Sequence, residues 1–470
     1  MIGEWGHTMT ITRELCDIIA ATRFESLGGK CIHRVRQAIA DGIAVAVAGS
    51  LQEPVALLAE HVKSLGGKQQ ATVWGRRFKT SVVHAAYVNG VATHVLDFEP
   101  MWLPPTHSVS PTVPVALALA EAQGLSGREV VTAVAKGMEI QGRIQFAASQ
   151  YRPDALRFHP PGIVGVLGAA VTASHLLGLD SEGLAHALGI AASRAGSLLA
   201  NIGSMTKSTH CGYAAASGLD AALLAARGFT ASPAIFEAPR GFIATFFPDE
   251  FDNDKLLGYG KPFRVVDPGL AIKLFPSQFA THWAITAALE LHPKINDPRA
   301  IARVTIRGPV MEYIDRPQPA SGLDGKFSFQ YTAAAALLDG RVGIDSFNDA
   351  RRFRSDMVAL LGKIELIQDA AVPGDWSGMH VTIEAEMRDG RKLKAVCRGP
   401  HGAWGQRQLK PREHEAKLRD CLGHLLDGRR VTRLLGIVDT FERQTPRGVS
   451  AIVALLGGAT SRRKAQRARE

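Results

Sequence analysis

The 470-residue sequence is poor in several things that would have classified it at once. It has five cysteines, Cys16, Cys31, Cys211, Cys397 and Cys421, odd in number and widely spaced, with no C-x-x-C pair. That excludes a disulfide scaffold and leads us to expect free thiols in a reducing, cytoplasmic setting. No stretch reaches the roughly 18 uninterrupted apolar residues that span a bilayer, and the first residues lack a basic segment followed by an apolar run. Neither a membrane partner nor export is expected. Also missing are a G-x-x-x-x-G-K-[ST] phosphate loop, a G-x-G-x-x-G after a strand, an H-E-x-x-H helix and a G-x-S-x-G elbow. What is present is a globular recipe, 46% hydrophobic and 21% charged, long enough for a large core and more than one domain.

Charge is the unusual quantity, with 54 Lys+Arg against 44 Asp+Glu for a formal +10. Arg462, Arg463, Lys464, Arg467 and Arg469 stand against Glu470 alone, so +4 of the +10 lies in the last nine residues and +6 in the rest. We expect residues 461–470 to form a disordered basic tail. The sequence has no aromatic-interleaved basic stripe and no reading helix, so nucleic acid is not the expected partner. A pocket for anionic substrates is.

From about residue 10 to 245 the chain reads as helices rich in Ala, Leu and Gly, with segments 34–48, 112–123, 128–147, 162–177, 181–192 and 212–227. Gly228 is the expected left-handed stop of the last. The pattern changes near Pro276. Val304 to Arg307 is a β-type run, and Val381, Ile383, Ala385 and Met387 alternate with Thr382, Glu384 and Glu386. Asp389-Gly390 then suggests a type I′ turn into a strand ending at Cys397. Helical material is expected over 328–338 and about 346–362, and again over 412–426, 430–440 and 448–456. The fold class is therefore mainly α with an α+β lobe. Its expected layout is a helical domain over 1–275, an inserted α+β lid over 276–410, and completion of the helical domain by 411–460.

Four clusters could carry chemistry. In the first, His94 to Ser108, Pro100, Pro104 and Pro105 forbid a helix and leave Asp97, Glu99 and His107 on a constrained loop. Capping and turn chemistry is the competing explanation. In the second, His159 precedes Pro160-Pro161 and a Gly-rich helix, where unpaired N–H groups would favour an anion. A structural His is the alternative. Gly162, Gly165 and Gly168 are better explained by close helix packing than by a nucleotide. The third, Ser204 to Gly212, sets Lys207 among hydroxyl-rich neighbours that could hold a carboxylate, unless Lys207 is simply a surface residue. The fourth brings Lys273, Gln278 and His282 to the hinge. Zinc or iron could be assembled from these His and acids, but the spacing is not that of a tight ligand motif, so no metal is expected.

In this order and spacing the clusters resemble the MmgE/PrpD family, which includes 2-methylcitrate dehydratase, cis-aconitate decarboxylase and iminodisuccinate epimerase. The resemblance is carried by Asn89-Gly90 through Glu99, Glu139-Ile140-Gln141-Gly142-Arg143, Phe158-His159-Pro160-Pro161, Thr206-Lys207, Lys273-Leu274-Phe275-Pro276, Thr281-His282-Trp283, Arg316-Pro317 and Phe327 to Tyr331. The pattern is most similar to the decarboxylase branch. It implies a helical domain with a smaller lid, a homodimer, no cofactor and a small di- or tricarboxylic acid as substrate. Carried over position by position, it implies catalytic roles for Asp97, His107, His159, Lys207 and Tyr331, with Met101, Arg143, Lys273 and Gln278 binding substrate. Two positions depart, Met101 where the decarboxylases have Thr and Gln278 where they have His. The departures remove a hydroxyl and a proton-transfer group. The implied activity is that of a lyase. An epimerase and a catalytically silent homologue are the alternatives.

Overall fold

In the computed structural model, residues 10–152, 156–404 and 409–457 are described. The basic tail at 461–470 lies outside them. The protein is mainly α, with a smaller α+β part. The helical part contains α1 (Ile11–Ala21), α2 (Phe24–Gly49), α3 (Glu53–Leu65), α4 (Val82–His94), α5 (Val109–Gln123), α6 (Gly127–Ala147), α7 (Pro160–Leu176), α8 (Ser181–Ala192) and α9 (Thr206–Ala225). A short antiparallel pair, β1 (Ala71–Thr72) and β2 (Lys79–Thr80), sits between α3 and α4.

Composition explains the packing. α4, α5 and α7 are buried on nearly all faces, and α9 packs chiefly against α4 and α7. Helices surrounded by helices need small residues at the crossings. At the α4–α9 crossing a Cβ added to Gly90 would come within 2.8 Å of the Gly212 Cα. At the α6–α7 crossing a Cβ on Gly168 would meet the Gln141 amide at 2.3 Å. The glycines of α7 are therefore packing residues. Gly228 has φ +85° and ends the turn after α9 as its position suggested.

The α+β part is a four-stranded sheet of order β4-β3-β5-β6, made of β3 (Ile301–Gly308), β4 (Ile364–Gln368), β5 (Val381–Met387) and β6 (Lys392–Cys397). β3 pairs parallel with β4 and antiparallel with β5, and β5 pairs antiparallel with β6, with Val381 opposite Cys397. Val381, Ile383, Ala385 and Met387 face inward as the alternation requires. The turn differs from the type I′ expectation. Gly390 has φ +84° but Asp389 is not among the positive-φ residues, and Gly390 N–H donates to the Met387 carbonyl. Arg388-Asp389-Gly390 is thus a three-residue connection with one left-handed glycine. The helix expected over 346–362 is broken into Ile344–Phe347, Asp349–Arg352 and Ser355–Leu361. The Asn348 side chain accepts from Arg351 N–H and starts a new turn, and Arg354 is extended.

Two cores follow. One draws on Leu15 through Leu270 and again on Leu418 through Leu456. The other draws on Met101 and on Ala271 through Ala403. The loop from Val95 to Ser108 lies where they meet. Among the described residues no single helix is long and apolar enough to cross a membrane. α2 and α3 pass that test only as a pair bent by 86°, and the apolar side chains of α2 are spent in the first core.

Candidate active site

The loop after α4 is held by buried cations. Asp97 adopts φ +51°, a left-handed conformation uncommon outside glycine, so something must hold it. Three lysines from distant parts of the chain do so, each taking one of three consecutive carbonyls. Lys326 Nζ donates to Leu96 O (3.1 Å), Lys273 Nζ to Asp97 O (2.9 Å) and Lys417 Nζ to Phe98 O (2.8 Å). Lys417 is balanced by Asp41 at 2.8 Å, which also meets His414 Nε2 at 2.9 Å.

The Asp97 carboxylate bridges two ammonium groups, Lys207 at 2.6 Å on one oxygen and Lys273 on the other. Burial alone would raise its pKa, but Lys207 and Lys273 override that and hold it well below the usual carboxylate range. Glu99 is fully buried beside it. One of its oxygens accepts from His94 Nδ1 and from Ser110 Oγ, both at 2.8 Å, and lies 3.2 Å from His107 Nδ1. The proton of His94 therefore sits on Nδ1, leaving Nε2 to accept from Lys207 at 3.0 Å. Burial and then Lys207 lower the His94 pKa to about 4, so the ring is neutral.

His159 is the N-cap residue of α7, with its N–H on Ser197 O at 3.1 Å and its Nδ1 3.2 Å from His210 Nδ1. Burial, then Lys207, pushes its pKa well down, and the same causes bring His210 to about 4. The His94, His107 and His159 rings cluster at centroid separations of 4.6, 5.5 and 6.1 Å. A cavity of about 220 Å³ opens onto His107 and His159. It is lined by Asp97, Met101, Thr106, His107, His159, Lys207, Lys273, Gln278 and Tyr313, with Leu199, Ile202, Phe279, Phe327 and Trp376 among its apolar members.

Of the residues singled out in the sequence, Asp97, Met101, His107, His159, Lys207, Lys273 and Gln278 meet in this cavity. Several expectations are corrected. Tyr331 does not line it. Ser328 caps the helix Phe329–Asp339, and this fixes Tyr331 in its first turn, fully buried, with its hydroxyl donating to Ser346 O at 2.5 Å. The phenol at the cavity is Tyr313, whose oxygen accepts from Gln278 Nε2 at 2.8 Å. Arg143 does not line the cavity either. Its Nε donates to Glu139 (2.6 Å) and its other nitrogens to the Lys255 and Pro262 carbonyls, fastening α6 to a following loop.

His282 does not face the cavity but packs between the rings of Phe275 and Phe279. The hydroxyls around Lys207 are not carboxylate donors, because Ser204, Ser208 and Thr209 return their protons to Asn201, Met205 and Thr206 carbonyls. Nor does α7 offer an amide cradle. Pro160 and Pro161 have no N–H, and Gly162 gives its own to His159 O at 3.0 Å.

Ring nitrogens of His94, His107 and His159 lie within 4.8 Å of one another, as do ligand atoms of His94, Glu99 and Cys211. A metal would have to break existing contacts. Both His94 nitrogens are engaged, His159 Nδ1 faces His210, and burial raises the Cys211 thiol well above its ordinary value, against a thiolate.

Lys326 and Lys417 were invisible as site residues in the sequence, and Lys326 makes a separate prediction. Burial lowers its pKa from 10.5 to about 7. Between these values the unfolded chain binds more protons than the folded one, so stability rises with pH across that window. The expected rise is on the order of 4 kcal/mol from this group. Urea unfolding from about pH 7 to pH 10 should show it in the native protein and show it missing in Lys326→Met.

This cluster of buried His, Lys and carboxylate between a helical domain and a smaller α+β part defines a class. Residues 13–254 match the MmgE/PrpD N-terminal domain and residues 275–443 the MmgE/PrpD C-terminal domain. The chain belongs to the MmgE/PrpD family. It is 31% identical over 446 residues to cis-aconitate decarboxylase of Mus musculus, covering 92% of this chain and 91% of that protein. To cis-aconitate decarboxylase of Homo sapiens it is 32% identical over 445 residues, 92% of each. The 2-methylcitrate dehydratase of Cupriavidus necator is 27% identical over 401 residues, 77% of this chain and 78% of that protein. These relatives are lyases, and so is this chain.

Proposed function

We propose that this lyase acts on a small di- or tricarboxylic acid, removing water or carbon dioxide next to a carboxylate without a cofactor. The observation that carries the reading is the ionised Asp97 shared by Lys207 and Lys273 at the edge of a cavity that also holds two imidazoles. Lys207 would bind a substrate carboxylate and stabilise the negative charge that develops beside it. His159, neutral in the empty site, gains basicity when an anion enters and is the proposed proton acceptor. In elimination the C–H bond breaks to His159, its electron pair forms the double bond, and the departing hydroxide takes a proton from the site and leaves as water. In decarboxylation the C–C bond pair moves through the adjacent double bond to carbon, which takes a proton from an imidazolium. His107, with Nδ1 toward Glu99, presents Nε2 for the second proton position.

The reading includes a homodimer in a reducing, cytoplasmic setting. All five cysteines are free and buried, and exposed Leu57, Leu198, Met205 and Tyr213 supply apolar surface for a second copy to cover. Sedimentation of the purified chain checks the dimer.

Proton NMR of the protein with cis-aconitate, citrate and 2-methylcitrate in deuterated water tests the chemistry. A new alkene or released carbon dioxide is expected. Exchange of deuterium with inversion and no lost group would instead establish an epimerase, and inertness toward every acid a silent homologue. Lys207→Met should lower kcat/KM by about 10²- to 10³-fold on whichever acid is turned over.

A further inference from the structure

We propose that a second, smaller recess beside the substrate cavity holds a water that passes protons between solvent and Lys207 while an acid occupies the site. This rests on the carboxylate reading above and adds how the site trades protons when it is full. The recess measures about 20 Å³, room for roughly one water. Asp97, Lys207 and Phe327 belong to the walls of both the recess and the substrate cavity, so they form the partition between the two. The inner wall adds buried His94 and Ser208, and the rim is Ser204, Met205 and Leu323, of which Ser204 and Met205 are exposed. A second copy seated on Met205 would place this rim in the seam between copies, where ordered water is common. Met101, His107, His159 and Gln278 line the substrate cavity but not the recess, so an acid bound against them leaves the recess clear.

The recess is polar at its inner end. An apolar void of this size stays dry, but a water here meets the Lys207 ammonium, the Asp97 carboxylate and the Ser208 hydroxyl, which gives its proton to Met205 O at 2.7 Å and keeps lone pairs for an incoming donor. Two of the three Lys207 N–H groups go to Asp97 at 2.6 Å and to His94 Nε2 at 3.0 Å, and the third serves the acid. A proton handed from Lys207 to the carboxylate it holds breaks one N–H bond and leaves an amine. The amine turns about its last C–N bond and takes a proton from the recess water, which takes one from solvent. Lysine and water end as they began, and the cavity has gained one proton, open to His159 from the carboxylate oxygen. Decarboxylation needs such a supply, because carbon dioxide leaves as a neutral molecule and the carbon it leaves takes up a proton.

The test is a rapid-mixing experiment on the full chain. The protein is loaded in ordinary water, for less than one turnover, with carbon-13-labelled cis-aconitate, citrate or 2-methylcitrate, whichever is turned over, and then thrown into an excess of deuterium oxide and unlabelled acid. Labelled molecules that react afterwards were bound when the solvent changed. In the native chain their new C–H position should carry deuterium, read in the product of a decarboxylation or in acid returned from an elimination. Leu323→Trp and the smaller Leu323→Phe, which fill the rim and leave the surface offered to a second copy alone, should lose the deuterium. Leu323→Ala, which leaves the rim open, should keep it. Protium at that position in the native chain shows a sealed site and overturns the route while the carboxylate reading stands. Deuterium undiminished in the filled variants places the entry elsewhere and overturns it too. If none of the acids is turned over, the carboxylate reading falls and takes the route with it.

Discussion

Glu99→Gln is expected to lower turnover by about 10³- to 10⁴-fold with little change in KM, the size of effect seen when the carboxylate that sets a histidine tautomer becomes an amide in a Ser-His-Asp site. One Glu99 oxygen accepts from His94 Nδ1 and Ser110 and faces His107 Nδ1. An ionised carboxylate can meet all three because it only accepts. An amide can do so only with its oxygen in that place, which sets its NH2 where the other carboxylate oxygen lies buried with no hydrogen-bond partner. With the amide reversed it donates to both rings, and His94 Nε2 must carry a proton toward the Lys207 ammonium, 3.0 Å away. One orientation strands a buried NH2 and removes the negative charge beside the rings, and the other takes from both rings the lone pair on Nε2. Nitrogen-15 shifts of the imidazoles report the tautomer exchange directly, and Glu99→Asp, which keeps an acceptor-only group, should recover part of the activity. A Glu99→Gln enzyme within tenfold of the native rate would show that tautomer control plays no part.

Periodic features were legible in the sequence because local rules decide them. The Ala- and Gly-rich helices and the alternation from Val381 to Met387 need only neighbours a few residues away, and the three prolines after Asp97 announce an irregular loop wherever it lies in space. Tyr331 and Arg143 misled for the opposite reason. Residue type and family pattern agreed, but the side-chain direction was set by the Ser328 cap in one case and by Glu139 one helical turn away in the other. The hydroxyls near Lys207 also failed on local grounds, since Ser and Thr in a first helical turn can bond their own backbone carbonyls. Lys326 and Lys417 could not be found at all. Their partners, Leu96 and Phe98, lie 230 and 319 residues away in the sequence, and a lysine whose acceptor is a peptide carbonyl leaves no second residue type to search for.

Asp97→Ala should cost the protein about 3–5 kcal/mol of stability, besides abolishing activity, because it leaves two buried ammonium groups without their shared counter-ion. The alternative explanation, strain from a left-handed backbone, is separable. Asn tolerates φ near +51° better than Ala does and still offers an acceptor, so Asp97→Asn isolates the lost charge. If charge dominates, Asn should be nearly as damaging as Ala. The pH dependence gives the sharper signature. The Asp97 carboxyl is depressed in the folded state, so its contribution is complete above the unfolded value of about 4 and is lost only as pH falls below that. Between about pH 5 and 7 the deficit of the variant should therefore be constant. Toward alkaline pH it should close. Lys273 is already lowered by burial, with Asp97 as the main opposing influence, so removing Asp97 drives its folded pKa further below the unfolded lysine value. Across that window the variant sheds a proton on folding and gains stability faster with pH than the native chain does. Urea unfolding of both proteins from about pH 5 to pH 10 measures it, and a deficit that stays constant throughout would assign the loss to backbone strain and packing instead of to the unpaired lysines.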